Sequence, residues 1–412
     1  MSHEILFLAH RIPFPPDRGD KIRSHHILRR LTRIAPVHVA TFADDERDLA
    51  QEVELATLAH SYRLALRTKP MLVAGLQALA SGKPISLHAF YDQTVADYVE
   101  RLLEERPIGT IFVFSGQMGQ YVPPSFAGRV VVDFVDVDSA KFEAYAAKRG
   151  GLLGRAYARE NRLLRDEEAR LAQRSDHSLL ISAEEAALFK SRLTQAERAS
   201  ANLGILCNGA DSSFFDPAAV CPEPQLQSCP EPRLIFTGQM DYTPNADAVI
   251  RAAHRIMPNI RQSWPEASFH VVGRNPTEEV RALEGINGTR VWGSVDDVRP
   301  WLKASDIALV PLEIGRGVQN KVLEAMAMAL PVVLTSPAAT GIAATDQRHF
   351  MVADSDEELA FAVRRLAADR PLARAMGLDA RGFIVDHLSW QSALANLPEI
   401  VGARRAVLAD AA

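Results

Sequence analysis

The sequence predicts an α/β protein made of two halves, each large enough for a doubly wound parallel sheet. Short runs that are apolar throughout recur along the chain, and helical patterns lie between them. The alternation lapses near residue 208 and restarts at 233. Strands that are apolar on both faces and alternate with helices indicate a parallel sheet covered on both sides. At 412 residues the chain is also too long for one ordinary core.

In the first half, strands are expected at residues 5–9, 37–42, 110–114, 129–134 and 177–182 (ILFLA, VHVATF, TIFVF, RVVVDF and HSLLIS). Helical patterns run from Lys21 to Ile34 and from Ala156 to Gln173. Residues 208–232 are rich in Pro, Ser, Asp and Glu without a period, as an interdomain linker would be. In the second half, strands are expected at 233–238, 268–273, 290–293, 306–310, 331–335 and 349–353. Helices fit near 245–257, 277–284, 296–304, 319–329 and 356–367. The expected domains are therefore 1–207 and 233–386, with a tail over 387–412. Ligands of open α/β sheets bind at the carboxyl ends of the strands, so two facing sheets would form a cleft between them.

Composition narrows the class. Hydrophobic residues at 47% and charged residues at 24% are those of a soluble globular chain. A net charge of −5 gives no reason to expect nucleic acid as a partner. Cys207, Cys221 and Cys229 have neither CxxC spacing nor an even count, which fits a reduced, cytoplasmic setting without a disulfide framework. No apolar run reaches bilayer-spanning length, and MSHEILFLAH has no basic segment ahead of its apolar run, so no signal peptide is expected.

Residues 310–334, VPLEIGRGVQNKVLEAMAMALPVVL, are the most informative stretch. They read as strand, glycine loop, helix and strand. Gly315 and Gly317 bracket Arg316 and allow a sharp turn with close backbone approach to a ligand. Val322, Leu323, Met326 and Ala327 recur at helical spacing, and Pro331 ends the helix. A helix N-terminus behind a glycine loop offers free N–H groups and a positive dipole end to an anion. Lys321 adds a full charge there, and Glu324, one turn on, can accept hydrogen bonds from a diol such as ribose. The competing reading is an ordinary i, i+3 surface ion pair between the two.

With CNGADSSFF (207–215), FTGQMDYTPNADAV (236–249), FHVVGRNP, VWGSVDDVRPWLKASDIALVPL, GRGVQNKVLEAMAMALPVV and SW (389–390), the second half resembles the retaining glycosyltransferases of family 4, or group 1. That family has the GT-B fold of two facing Rossmann-like domains. HRIPFPPDRGDKIRS (10–24) and VVDFVDVDSAKFEAYA (131–146) resemble a subgroup of sugar transferases associated with exopolysaccharide and exosortase loci. The resemblance implies transfer of a hexose from a UDP- or GDP-sugar to a glycan or polyprenyl-linked acceptor, with no metal or other cofactor.

It also implies roles residue by residue. Glu324 would hold the ribose hydroxyls. Lys321 would neutralise the diphosphate, with Arg274 as a second contact. Gly315, Gly317 and Asn320 would line the donor at the helix start, and Gly238 would line it after the first strand of that half. Trp292 to Val295 would border the base, and Gly19 would approach the phosphate from the other domain. Asp136 is the candidate for holding the sugar or acceptor, with Asp133 as its neighbour. The tail from 387 would fold back on the first domain as a helix.

Three departures stand out. Arg316 occupies the place of an acid expected to contact the sugar, with Glu313 out of register. Gly238-Gln239 replaces Gly-Arg, and Thr243, Pro244 and Asn245 stand near where a lysine is usual. Val135-Asp136 stands where a histidine is frequent.

Asp136-Val137-Asp138 spells a D-x-D, a triplet that binds metal in another glycosyltransferase fold; here the rest of the chain reads as the fold that needs none. The segment from Arg11 to Arg33 concentrates Arg11, Arg18, Lys21, Arg23, Arg29, Arg30 and Arg33 against Asp17 and Asp20. It is the candidate for peripheral contact with the inner face of the cytoplasmic membrane, against the plain alternative of a solvated helix face. Other open alternatives are a nucleotide-sugar epimerase of the same fold and a non-catalytic nucleotide-binding subunit.

Overall fold

The computed structural model describes residues 4–148, 150–314 and 318–403. The chain divides into two compact units, the first comprising residues 1–208 and 394–412 and the second 209–393.

The first unit is built on β1 (Glu4–Ala9), β2 (Val37–Ala43), β3 (Ser61–Leu66), β4 (Ile108–Phe114), β5 (Arg129–Val135), β6 (His177–Leu180) and β7 (Leu203–Ile205). Among the described residues they form one parallel sheet in the order β3-β2-β1-β4-β5-β6-β7. The central β1 is buried at every position, because helices cover both faces of the sheet. Phe7 and Phe112, opposite each other in the β1–β4 register, pack with ring centroids 5.7 Å apart. The end of the described chain belongs to this unit: Thr110 Oγ1 donates to the Val401 carbonyl at 2.9 Å.

The second unit holds β8 (Arg233–Thr237), β9 (Ser268–Val272), β10 (Thr289–Gly293), β11 (Ile307–Val310), β12 (Val332–Leu334) and β13 (Met351–Val352). These are again parallel, in the order β10-β9-β8-β11-β12-β13. Phe236, Phe269, Leu309, Val322, Met326 and Val333 are among its buried core residues. Residues 209–232, expected as a linker, pack with this unit: Leu226 is fully buried and Phe215 and Val220 lie against the core.

β3 and β7 were not expected from the sequence. They are the two edges of the first sheet, so their residues are only partly covered and lack the apolar signature of the central strands. The run MLVAGLQALA, which with Arg63, Arg67, Lys69 and Lys83 reads in the sequence as added support for membrane contact, forms the helix Met71–Ser81. Among the described residues no helix is long and apolar enough to cross a membrane.

In both sheets the chain reverses direction once. The two switch points, where successive connections leave for opposite sides, lie between β1 and β4 and between β8 and β11. The carboxyl ends of those strand pairs are where an open α/β sheet leaves a crevice for a ligand.

Candidate functional site

The second unit's switch point is assembled from three chain segments. β8 ends in Thr237, and the next residue, Gly238, has φ +154°. A Cβ there would stand 2.9 Å from Asn245 Nδ2 and 3.3 Å from Lys321 Cε, so glycine is what admits both side chains. Gly273, after β9, is still more constrained: its Cβ would fall 1.6 Å from the Gly238 carbonyl oxygen. Asn245 stands in the first turn of the helix Thr243–Arg251, and its Nδ2 donates to the Gln239 carbonyl at 2.8 Å. That bond turns Asn245 Oδ1 toward Lys321, whose Nζ donates to it at 3.0 Å.

Lys321 is the second residue of the helix Asn320–Ala327, which follows β11. Its ammonium also lies 5.2 Å from the centre of the Phe236 ring. Among the described residues no carboxylate lies within ion-pair distance of it. Burial therefore pulls its pKa down to about 8, with Glu324 opposing the shift from further off. Glu324 faces the converse situation: burial pushes it up to about 7, against the pull of Lys321. The helix buries Val322, Leu323, Ala325, Met326 and Ala327, while Lys321 and Glu324, three apart, remain partly accessible on another face. A cation and a carboxylate, both desolvated and neither neutralised by a direct partner, stand beside a helix N-terminus. Such a place is suited to an anionic ligand that also carries hydroxyls.

Arg274 borders this nest, its Nη2 donating to Gln239 Oε1 at 3.1 Å. Asn320, the first helical residue, is exposed, and Val295, after β10, is half-buried against the core. Trp292 is held by its Nε1 donating to His270 Nδ1 at 3.1 Å, an imidazole kept neutral by burial, which lowers its pKa to about 4. A shallow cavity of about 380 Å³ opens beside it, lined by Pro276, Arg281, Glu284, Val291, Trp292 and Gly293. Gly315, Arg316 and Gly317 lie outside the described residues. Glu313 is exposed, 4.0 Å from Arg251 and 3.9 Å from Arg255. A larger cavity of about 430 Å³, lined in part by Asp306, Ile307, Pro331 and Arg370, lies at the amino ends of the strands, away from Lys321 and Glu324.

Asp136 and Gly19 belong to the other unit. There a cavity of about 380 Å³ sits at the carboxyl ends of β1, β4 and β5, lined by His10, Arg11, Arg18, Asp20, Ser115, Val135, Asp136, Asp138 and Lys141 among others. Its charges are mutually satisfied. His10 Nε2 lies 3.3 Å from Asp20, Arg11 bridges Asp20 at 2.9 Å and Asp44 at 2.6 Å, and Lys141 sits 3.0 Å from Asp136 and 3.1 Å from Asp138. Burial works to raise Asp20, but His10 and the two arginines outweigh it and hold the carboxyl well below its usual range. His10 Nδ1 is buried without a hydrogen-bond partner.

Two residues on this wall, Ser115 (φ +76°) and Val135 (φ +68°), adopt the left-handed region, an uncommon place for serine and a strained one for a β-branched side chain. The strain is held by a buried pair. Arg23 donates from Nε and Nη2 to the two oxygens of Asp133 at 2.8 and 3.0 Å, and Asp133 Oδ1 accepts the Val135 N–H at 3.2 Å.

Two expectations are corrected by this arrangement. Asp133 is fully buried and bidentate with Arg23, so it positions the turn and is closed to a ligand. The basic segment from Arg11 to Arg33 is only partly open: Arg29 and Arg33 are exposed, while its first half is tied up by acids. Lys21 and Arg23 are buried, Lys21 pairs with Asp48 at 2.5 Å, and Arg11 and Arg18 are both tied to Asp20 and Asp44. The neutralising acids Asp44 and Asp48 follow β2, outside the window in which the segment looked uniformly basic. Gly19 begins the helix Gly19–Thr32 and is exposed, with nothing within 4 Å of a would-be Cβ. Asn245 and His10 are the neighbours that motif reading underweighted.

Comparison with known proteins decides the class. Residues 231–369 match the family of glycosyl transferases, group 1. The chain is a glycosyltransferase. The matched segment runs from just before β8 into the helix Asp356–Ala368 and includes Gly238, Asn245, Arg274, Lys321 and Glu324. The fold extends over both units. The HepE protein of Anabaena, solved with UDP, is 13% identical with a TM-score of 0.61, covering 98% of this chain and 100% of its own. Sucrose-phosphate synthase of Thermosynechococcus elongatus is 14% identical at a TM-score of 0.60, covering 97% and 98%. WaaG, a glycosyltransferase of lipopolysaccharide biosynthesis, is 19% identical at 0.58, covering 97% and 100%. At these identities the likeness establishes the GT-B fold of the glycosyltransferase. A comparison with curated proteins gives no match.

Proposed function

We propose that this glycosyltransferase transfers a hexose, with retention of anomeric configuration, from a nucleotide-diphosphate sugar to a glycan or lipid-linked acceptor in exopolysaccharide assembly. One observation carries the donor reading: Lys321, without a carboxylate partner and pulled down to about 8 by burial, stands at a helix N-terminus one turn from a desolvated Glu324. A diphosphate would supply the missing negative charge, and the ribose diol would donate to the carboxylate. The base would lie against the cavity beside Trp292. HepE solved with UDP-glucose makes UDP-glucose the first donor to try.

In the reaction the bond from the anomeric carbon to the β-phosphate oxygen breaks, and that oxygen keeps the electron pair. Lys321 and the free amides at the start of its helix stabilise the developing charge, with Arg274 as a further cation. The acceptor oxygen bonds to the anomeric carbon on the same face, and its proton passes to the departing phosphate. No side-chain base is then needed, and no metal or other cofactor is assigned.

The acceptor side is assigned to the first unit's pocket, where Asp136, His10 and Ser115 offer polar groups whose net charge is already balanced. The resemblance of residues 10–24 and 131–146 to exopolysaccharide transferases supports an acceptor of that class. Thermal-shift measurements against UDP-, GDP-, ADP- and TDP-sugars test the donor claim, since one of them should raise the melting temperature and Glu324→Ala should remove that shift. No response to any donor, or a shift that survives Glu324→Ala, would refute the assignment.

A further inference from the structure

The helix Met71–Ser81 is built inside out. Its small residues Ala74 and Ala78 are fully buried, while Leu72, Leu76 and Leu79 are 84, 69 and 67% exposed. These three leucines recur at helical spacing and share one face, extended by Met71 and Val73 at 63 and 41%. The exposure does not come from a loosely attached helix. Gly82 (φ +72°) ends it in the left-handed conformation, and Arg159 Nη2 donates to the Ala78 carbonyl at 2.7 Å. The next helix, Ile85–Ala89, is held at its start by the buried Glu160, which accepts from the Ile85 and Ser86 amides at 2.8 and 2.9 Å. Lys69 Nζ closes the hairpin by donating to the carbonyls of His88 and Tyr91 at 2.9 and 2.8 Å. The two helices are pinned from the protein side with the leucines turned outward.

Charge selects the occupant of that face. The whole chain carries a net −5, yet residues 62–91 contain Arg63, Arg67, Lys69 and Lys83 and no Asp or Glu. Arg67 is paired with Asp44 at 2.7 Å, which leaves Arg63 and Lys83 as the exposed cations of the window. Lys69, before the helix, has its ammonium turned inward to the hairpin, so the exposed cation beside the leucine face is Lys83, which follows the helix. Arg155, exposed, stands one turn before Arg159 on the helix Gly151–Arg174, the same arginine that caps the Met71–Ser81 helix. An apolar stripe with a basic fringe and no acids matches an anionic lipid surface, whose acyl boundary takes the leucines while its headgroups take the cations.

We infer that the helix Met71–Ser81 docks the protein on an anionic bilayer by inserting Leu72, Leu76 and Leu79, with Lys83 and Arg155 at the headgroups. This goes beyond the transferase reading and does not depend on it. It places a membrane contact on a helix outside the Arg11–Arg33 segment. The location suits a lipid-linked acceptor: Phe90, at the end of the second pinned helix, packs edge-on against His10 at 5.8 Å, and His10 lines the first unit's pocket.

The test is vesicle flotation of the full chain, without any sugar donor. Phosphatidylcholine vesicles are compared with vesicles that also contain phosphatidylglycerol, and size-exclusion light scattering is run in parallel. The wild type should float with the anionic vesicles, weakly or not at all with the neutral ones, and less as salt rises. The variant Leu72→Ser/Leu76→Ser/Leu79→Ser should lose flotation while its melting temperature changes little, since those side chains are mostly exposed in the free protein. Lys83→Gln should weaken binding about fivefold by removing one headgroup contact. Absence of flotation, equal flotation with neutral vesicles, or flotation unchanged in the triple variant would overturn the inference. A dimer that the triple variant dissolves, with no vesicle binding, would assign the face to a second copy and overturn it as well.

Discussion

The two switch points of this protein solve the problem of charge in opposite ways. In the first unit every ion near the pocket has a partner: Arg23 grips Asp133 with two bonds, Lys141 sits between Asp136 and Asp138, and Arg11 bridges Asp20 and Asp44. In the second, the partners of Lys321 among the described residues are neutral oxygens, Asn245 Oδ1 at 3.0 Å and Gln319 Oε1 at 3.5 Å, and Glu324 feels the pull of Lys321 from further off. The first region has its charges paired without a ligand, and its unusual features are the backbone at Ser115 and Val135 and the unpartnered His10 Nδ1. The second is incomplete, and its unusual features are the two shifted pKa values. A charge left unsatisfied at a sheet's ligand-binding edge marks where an anion belongs. A neutralised pocket is better suited to an uncharged polyol.

This contrast can be broken most forcefully at its two buried cations. Arg23→Met should destabilise the protein by about 3–5 kcal/mol, because it strands the Asp133 carboxylate in the core; urea unfolding reads this directly. Lys321→Met should weaken binding of a nucleoside diphosphate about a hundredfold, the loss of a desolvated charge-assisted contact worth up to about 3 kcal/mol. The same Lys321→Met change should make the free protein more stable, by about 1–3 kcal/mol at neutral pH. Its pKa is lowered from 10.5 to about 8 in the folded state, so burying the charge costs stability below pH 8. The cost fades as pH rises from about 8 to 10.5, and so should the advantage of the variant. A destabilised Lys321→Met would mean that the lysine is a structural group, as Arg23 is. The smallest effect is expected at Val135→Gly, which relieves the left-handed backbone and should change stability by no more than about 1 kcal/mol while lowering turnover. Equal loss of stability and activity there would remove the link between strain and the pocket.

The contrast also bears on what could be read from the sequence. Central strands such as β1 and β5 were legible because burial on both faces demands unbroken apolar runs. The edge strands β3 and β7 were not, since an edge is only half covered. The proximity of the residues expected on the donor side was legible: Lys321, Glu324, Gly238 and Arg274 stand around one local strand–loop–helix pattern and its neighbours. Asn245, which fixes the lysine, was not, because its role depends on a hydrogen bond to the Gln239 carbonyl that only the folded turn creates. The first unit's pocket was nearly opaque. Arg23 and Asp133 lie 110 residues apart, and nothing local says that they meet. The Arg11–Arg33 segment looked like a basic surface for the same reason, its acids arriving from Asp44 and Asp48.

The central claim is that Lys321 waits for the diphosphate of a nucleotide-sugar donor. It is tested most directly by calorimetric titration of the nucleoside diphosphate at pH 8, repeated in buffers of different ionisation enthalpy. A lysine with a pKa of about 8 is half protonated in the free protein there and should become fully protonated against the bound phosphates. The wild type should therefore take up a substantial fraction of a proton on binding, and its affinity should fall as pH rises further. Lys321→Met should bind weakly with no proton uptake. Tight binding by the variant, or binding by the wild type without proton uptake, would contradict the account.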